Sequence, residues 1–316
     1  KYSAFIILIT MIDLTIKFWL LFLNLFSFYI INNMKRAFLC GINYTGTSSA
    51  LNGCINDISN VNNFLVKNCG YDAKNIKIMT DDPKSVTKPT RANMEAGISW
   101  LANNSVAGDT LFFYYSGHGS DIKDTNGDES DGRDNVLVPL DYTTKGIISD
   151  DWLFLNLASR LPAGVTLWSF ADCCHSGTML DLQYNFKCNS VYTRGTIKTG
   201  IKYNSAEWSN QFGMESERSK LTSADVFLFS GCLDPQTSAD ATIRNQAQGA
   251  FTACFLEFVQ ANSTKRPDGT VVFNSGTRTL NEMLKEINCR LVINGFDQRS
   301  QLSMGRIKDF TRKFAL

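Results

Sequence analysis

The feature that most constrains this chain is a series of short apolar runs, each bounded by glycine or turn residues and separated by segments of helical spacing. "RAFLCGINY" (36–44), "NIKIMT" (75–80), "DTLFFYYS" (109–116), "GVTLWSFAD" (164–172) and "DVFLFSGC" (225–232) read as strands covered on both faces, because their apolar residues run on rather than alternate. Between them, "CINDISNVNNFLVKNCGY" (54–71) places Ile55, Ile58, Val61, Phe64 and Leu65 at helical spacing and stops at Gly70. After Pro89, "TRANMEAGISWLANNS" predicts a helix capped by Thr90. Further helices are expected from Asp151 to Arg160, over 249–262 and over 279–293, with short strands in "NVLVPLD" and "GIIS" and a last strand in the tail. Strands alternating with helices imply an α/β domain with a largely parallel sheet.

The length allows one large domain or two ordinary ones, and 44% hydrophobic with 19% charged residues belongs to globular chains. A net charge of +1 offers no field to recruit nucleic acid or an anionic membrane, so nucleic acid is not an expected partner and a membrane is one only through residues 1–33. Nine cysteines without a CxxC pair argue against a zinc ribbon or a redox dithiol and for reduced thiols in the cytoplasm. Residues 1–33 differ in kind: the segment is as long as a membrane span but is interrupted by Asp13, Lys17 and Asn24. A signal anchor is one reading. The favoured expectation is upstream sequence before a natural start at Met34, which directly precedes "KRAFLCGINY". Residues 183–222 are long, polar and without period, and are expected to be a functional loop.

Reactive groups in such sheets gather beyond the carboxyl ends of the strands. Two motifs stand there, "SGHG" after one strand and "DCCHSG" after another, and the chain's only histidines are His118 and His175, one in each. A cysteine hydrolase needs a thiolate and an imidazole that protonates the leaving amine. His175 directly follows Cys174, so their side chains diverge. His118, between two glycines, faces one of the paired cysteines if the two strands are neighbours. Alternation puts Cys173 with Leu167, Ser169 and Ala171, and Cys174 with Trp168, Phe170 and Asp172, which leaves the choice of nucleophile open. A zinc site from Cys173, Cys174 and His175 is disfavoured, since adjacent ligands rarely span a tetrahedron.

Together "ALNGCINDISNV", "FFYYSGHGS" and "FADCCHSGTMLDL", with "SGCLDPQTSAD" and "DQRSQLSMGR" later, resemble a type I metacaspase from about Arg36 to the C-terminus. The resemblance implies a caspase-like three-layer α/β/α sandwich: a peptidase domain over 34–316, divided into a large-subunit-like part (34–182), a linker loop (183–222) and a small-subunit-like part (223–316). It implies Cys174 as nucleophile, His118 as its partner 56 positions upstream, and backbone amides of Gly119 and Cys174 as the oxyanion hole. Cys173 then has a supporting role. The resemblance also places Cys54, Asp57, Ser116 and Asp172 around a pocket for Arg or Lys at P1, the residue before the cleaved bond. Two carboxylates suit a guanidinium or ammonium.

The acidic run "DIKDTNGDESDGRD" (121–134) fails the register of an EF-hand. The resemblance implies instead an activating Ca²⁺ held by Asp134, Asp150, Asp151 and Asp181, although Asp150 also reads as a helix N-cap. It further implies self-cleavage at basic residues of the linker, among Lys187, Arg194, Lys198, Lys202, Arg218 and Lys220. The expectation is a monomeric, calcium-activated cysteine endopeptidase acting on proteins or peptides after Arg or Lys. A non-catalytic scaffold on the same fold is the alternative, and a pocket for aspartate is disfavoured because acidic walls would repel it.

Overall fold

The computed structural model describes residues 16–19, 33–127, 132–188, 212–216, 220–232, 240–243, 246–306 and 311–316. The chain divides into two units, Lys1–Met34 and Lys35–Leu316. Of the first, residues 16–19 form a helical turn; the rest of the hydrophobic segment, and with it the anchor reading, lies outside the described residues up to residue 33. Among the described residues no helix is long and apolar enough to cross a membrane.

The second unit opens with β1 (Lys35–Gly41), α1 (Cys54–Cys69), β2 (Ile76–Thr80), α2 (Arg91–Ala102) and β3 (Thr110–Ser116). A small sheet of β4 (Gly119–Lys123), β5 (Arg133–Leu137) and β6 (Ile148–Ser149) leads to β7 (Thr166–Asp172). Then follow β8 (Tyr184–Cys188), β9 (Phe212–Ser216), β10 (Asp225–Ser230) and the antiparallel pair β11 (Asp240–Ile243) and β12 (Gln246–Gly249). Helix α3 (Ala250–Ala261), a second small pair of β13 (Ser263–Lys265) and β14 (Val271–Phe273), α4 (Leu280–Ile293) and β15 (Gln301–Met304) complete it.

Eight strands form the central sheet in the order β2-β1-β3-β7-β10-β15-β8-β9. The pairings among β2, β1, β3, β7 and β10 are parallel, and those of β15, β8 and β9 antiparallel. Alternate residues of each central strand enter opposite cores. In β7, Trp168 and Phe170 face one core with Phe64 of α1, Phe255 of α3 and Leu284 of α4. Leu167, Ala171 and Cys173 face the other, with Met94 and Ile98 of α2. Phe170 stacks on Phe112 at 5.0 Å and on Phe229 at 5.4 Å, so the parallel strands are joined by a row of rings as well as by their ladder. Helices on both faces of a mostly parallel sheet make the three-layer caspase-like fold.

Two local expectations are corrected. The helix expected over Asp151–Arg160 is a short one over Asp150–Leu153 that widens into a π-helical turn over Phe154–Ala158. Its N-cap is Ser149, whose Oγ accepts the Trp152 N–H at 3.2 Å, so Asp150 is not the cap. The linker loop contains two paired strands, β8 and β9, which extend the sheet through β15.

Candidate active site

Strands β3 and β7 lie side by side and parallel, with Ser116 opposite Asp172 at their last paired position. His118 and Cys174 each follow two residues later, so the register brings the two motifs to one place. The contact between the turns is close: a Cβ on Gly119 would stand 2.0 Å from the Cys174 carbonyl oxygen and 3.0 Å from Cys173 Sγ. Only glycine fits there. Cys174 is partly exposed, whereas Cys173 is buried in the second core and burial pushes its thiol well up. Cys232, also buried and pushed up to about 12, donates its S–H to the Cys173 carbonyl at 3.1 Å. Eight of the nine cysteines have described side chains, and none of the eight is in a disulfide.

His118 is held on every side. Its Nε2 is 2.6 Å from the Ser49 carbonyl oxygen, which only accepts, so Nε2 carries the hydrogen of the neutral ring and Nδ1 keeps a lone pair. Tyr44 packs its ring 4.6 Å from the imidazole. Its hydroxyl accepts the His118 N–H at 3.1 Å and donates to the Val138 carbonyl at 2.6 Å. Tyr115 donates to the His118 carbonyl at 2.8 Å. Tyr44 holds a left-handed backbone (φ 50°), costly for a bulky residue, to reach this position. His175 takes φ 48° and directs Nδ1 to Asp121 Oδ1 at 3.5 Å, in β4.

The four residues expected around the P1 pocket also lie near one another. Asp57 lies in the first turn of α1 and is wholly buried; Cys54 opens that helix, and Ser116 Oγ donates to Asp57 Oδ2 at 2.8 Å. Asp172 is 4% exposed. Gly249, just before α3, lies against both carboxylates: a Cβ there would be 2.1 Å from Asp172 Oδ2 and 3.0 Å from Asp57 Oδ2.

Of the quartet expected for calcium, Asp134, Asp150 and Asp181 are buried and Asp151 is partly so. Asp150 accepts N–H bonds from Asn135 at 2.6 Å and Asp151 at 2.9 Å. Burial first, and the nearby charge of Asp181 second, push its carboxyl up to about 9. Lys220 enters this cluster, donating to Asp151 Oδ1 at 2.9 Å and to Asp181 Oδ2, with its ammonium 5.8 Å from the Phe154 ring. Among the described residues no three His, Cys, Asp or Glu side chains are grouped so as to hold a metal ion. Carboxylate oxygens are the donors Ca²⁺ takes, but in this structure they are not gathered so as to hold an ion, and Lys220 bonds two of the four side chains.

Of the linker residues offered as self-cleavage points, Lys187 lies within β8, and Arg194, Lys198, Lys202 and Arg218 fall outside the described residues. Reading the sequence missed Tyr44, Ser49, Gly249, Thr252 and the placement of Lys220. Each reaches the site across a long stretch of chain that local spacing does not encode.

A family model described as "Metacaspase, peptidase C14 domain" matches residues 35–183. Metacaspase-1 of Cryptococcus neoformans is 38% identical over 302 residues, 87% of this chain and 63% of that protein. Metacaspase-1 of Pyricularia oryzae is 35% identical over 297 residues, 85% of this chain and 71% of that protein. The chain thus spans about two thirds of the length of such relatives. Among solved structures, protein GSU0716 from Geobacter sulfurreducens superposes with a TM-score of 0.58 at 23% identity, covering 89% of this chain and 97% of that one. Caspase-1 from Spodoptera frugiperda superposes with a TM-score of 0.52 at 10% identity, covering 90% and 92%, and shares the fold.

Proposed function

The chain belongs to the metacaspase family, and on that premise we propose that it is a cysteine endopeptidase cutting after Arg or Lys, with Cys174 as nucleophile and His118 as acid and base. The observation that carries this reading is the shared register of β3 and β7, which sets His118 and Cys174 equally far beyond Ser116 and Asp172. The Ser49 carbonyl supports the tautomer needed, with Nδ1 as proton acceptor.

In the reaction, Cys174 Sγ passes its proton to His118 and attacks the scissile carbonyl carbon. The oxyanion that forms is received by the backbone N–H groups of Gly119 and Cys174, each such donor being worth ~2.7–4 kcal/mol. The imidazolium returns its proton to the leaving amine as the C–N bond breaks. Water, deprotonated by His118, then hydrolyses the thioester and restores the thiol. Asp57 and Asp172 supply the negative charge that selects a basic P1 side chain, within reach of Cys54 and Ser116.

Asp134, Asp150, Asp151 and Asp181 would hold a calcium ion, whose charge would compensate carboxylates that are buried together. Asp181 lies seven positions after Cys174, so ordering this cluster bears on the loop beside the nucleophile. Lys220 holds part of the cluster's charge in the form described, and its engagement withholds the Lys220–Leu221 bond from self-cleavage. Lys187 is withheld by its strand pairing.

The test is hydrolysis of peptides with Arg, Lys, norleucine and Asp at P1, with and without calcium, by the wild type and Cys174→Ala. Full activity in Cys174→Ala would sink the nucleophile, equal rates on all P1 residues the pocket, and indifference to chelation the calcium dependence.

A further inference from the structure

The carboxylates of the pocket come from the large-subunit-like part of the chain, yet much of what holds them comes from the small-subunit-like part. Asp57 receives the Gly249 N–H on both oxygens, each at 3.1 Å. Asp172 Oδ2 receives two donors from one residue of α3: the Thr252 N–H at 2.9 Å and the Thr252 hydroxyl at 2.6 Å. Thr252 is itself wholly buried, and its Oγ1 lies 2.5 Å from the hydroxyl of Tyr114, a wholly buried residue of β3.

A threonine hydroxyl has a single proton. Given to Asp172, it leaves Oγ1 with lone pairs only, so the Tyr114 hydroxyl must be the donor in the other contact. The chain Tyr114 to Thr252 to Asp172 therefore points one way and ends on an acceptor. It is complete when Asp172 is an anion, and each link polarises the next. The room around the carboxylate is shaped to match: a Cβ on Gly231 would be 3.0 Å from Oδ1, and one on Gly249 would be 2.1 Å from Oδ2. The carboxylate fills space that two glycines leave open, and Thr252 fixes where in that space it stands.

We infer that Thr252 is a specificity-determining positioning residue: acting through Asp172, it fixes a pocket anion in place and so sets the preference for a basic P1 side chain. This rests on the pocket reading above. It also makes the pocket a joint product of the two parts of the chain, since Thr252 holds Asp172 from the start of α3 while Asp172 itself ends β7. Thr252 touches neither the dyad nor the scissile bond in this scheme, so its loss bears on P1 binding rather than on the chemical step.

The experiment measures kcat and KM for peptides with Arg and with norleucine at P1, for wild type, Thr252→Val, Thr252→Ser and Tyr114→Phe. The rate of Cys174 alkylation and the Tm are followed in parallel. Thr252→Val removes the hydroxyl at nearly constant volume. It is expected to lower the Arg-over-norleucine ratio of kcat/KM by about ten- to a hundredfold, the range of one charge-assisted hydrogen bond, with most of the loss in KM. Thr252→Ser restores the ratio to within about threefold, and Tyr114→Phe lowers it severalfold in the same direction. A wild-type preference for Arg that Thr252→Val leaves intact overturns this inference alone. A wild type with no such preference overturns the pocket reading, and this inference with it. If Thr252→Val does not fold, Tyr114→Phe decides: an unchanged ratio there overturns the inference.

Discussion

Ser116 and Asp172 face each other at the carboxyl ends of two adjacent parallel strands, and Ser116 Oγ reaches on to Asp57. One pairing thereby fixes two things. Beyond it stand His118 and Cys174, and beside it lie Asp57 and Asp172, the carboxylates proposed for the pocket. A shift of register by one residue would reverse the facing of every side chain past this point, separating the proposed nucleophile from the proposed base and both from the proposed pocket. The buried rings of Phe112, Phe170 and Phe229 resist such a slip, because each would have to leave a filled core.

The two cysteines are expected to separate cleanly by reactivity. Burial pushes Cys173 well up and Cys232 up to about 12, so both remain protonated thiols at pH 7–8, while Cys174 is partly exposed, with its backbone against the turn at Gly119. Brief alkylation by iodoacetamide at pH 7.5, followed by peptide mapping, should mark Cys174 first among the cysteines with described side chains. Cys174→Ala should lower kcat by roughly 10⁴-fold or more, the scale on which loss of a nucleophile is felt. Cys173→Ala should retain measurable turnover, and a Cys173 adduct forming ahead of Cys174 would exchange the two roles.

Tyr44→Phe keeps the ring against His118 and removes the hydroxyl that accepts the His118 N–H and donates to Val138. Three polar groups lose a partner, the third being the Tyr115 hydroxyl at 3.1 Å, so stability should fall by about 1–3 kcal/mol in urea unfolding. Because the base becomes less firmly held while the pocket is untouched, kcat should fall about tenfold with KM little changed. A rise in KM at constant kcat would place Tyr44 with the substrate rather than with the base.

Gly119→Ala puts a methyl 2.0 Å from the Cys174 carbonyl oxygen, and the obstacle is backbone at the nucleophile's own turn. The turns must part. Activity should fall at least about a hundredfold, since a displacement of ~1 Å at reacting groups costs that much. The far-UV circular dichroism should stay that of the wild type. Full activity in this variant would show that the two turns are not in contact during turnover.

How far the sequence carried depended on whether the information was local. Continuous apolar runs announced the central strands, and helical spacing announced α1, α2, α3 and α4, because burial on two faces or on one stripe leaves a pattern within a few residues. Ser149 could have been found the same way: a serine before Asp150 and Asp151 is a helix start in miniature. So could β8, where Tyr184, Phe186 and Cys188 alternate inside a segment judged by its polarity. Gly249 and Thr252 were not legible. Asp57 and Gly249 meet across 192 positions, and Asp172 and Thr252 across 80. No spacing rule reaches that far. Lys220 was read by its side-chain type as a cleavage point, and its destination between Asp151 and Asp181 is a tertiary fact.

That destination yields the last prediction. The Lys220 ammonium bonds two of the four aspartates named for calcium, so ion and side chain compete for the same oxygens. Lys220→Met keeps an apolar stem over Phe154 and removes the charge. Without the ion, the variant should be less stable than the wild type, because removing one partner of a shielded pair leaves the other's charge unmatched; ~3–5 kcal/mol is the upper range for fully buried pairs, and Lys220 is only mostly shielded. With the ion, the gap should narrow by the difference in calcium binding. Calcium titrated calorimetrically into Cys174→Ala/Lys220→Met, where no self-cleavage can occur, should bind at least about tenfold more tightly than into Cys174→Ala alone, a gain of about 1.4 kcal/mol. Asp181→Asn in the same background should abolish that binding. Equal affinity with and without the Lys220 charge would mean that the ammonium is a spectator and that any calcium site lies elsewhere.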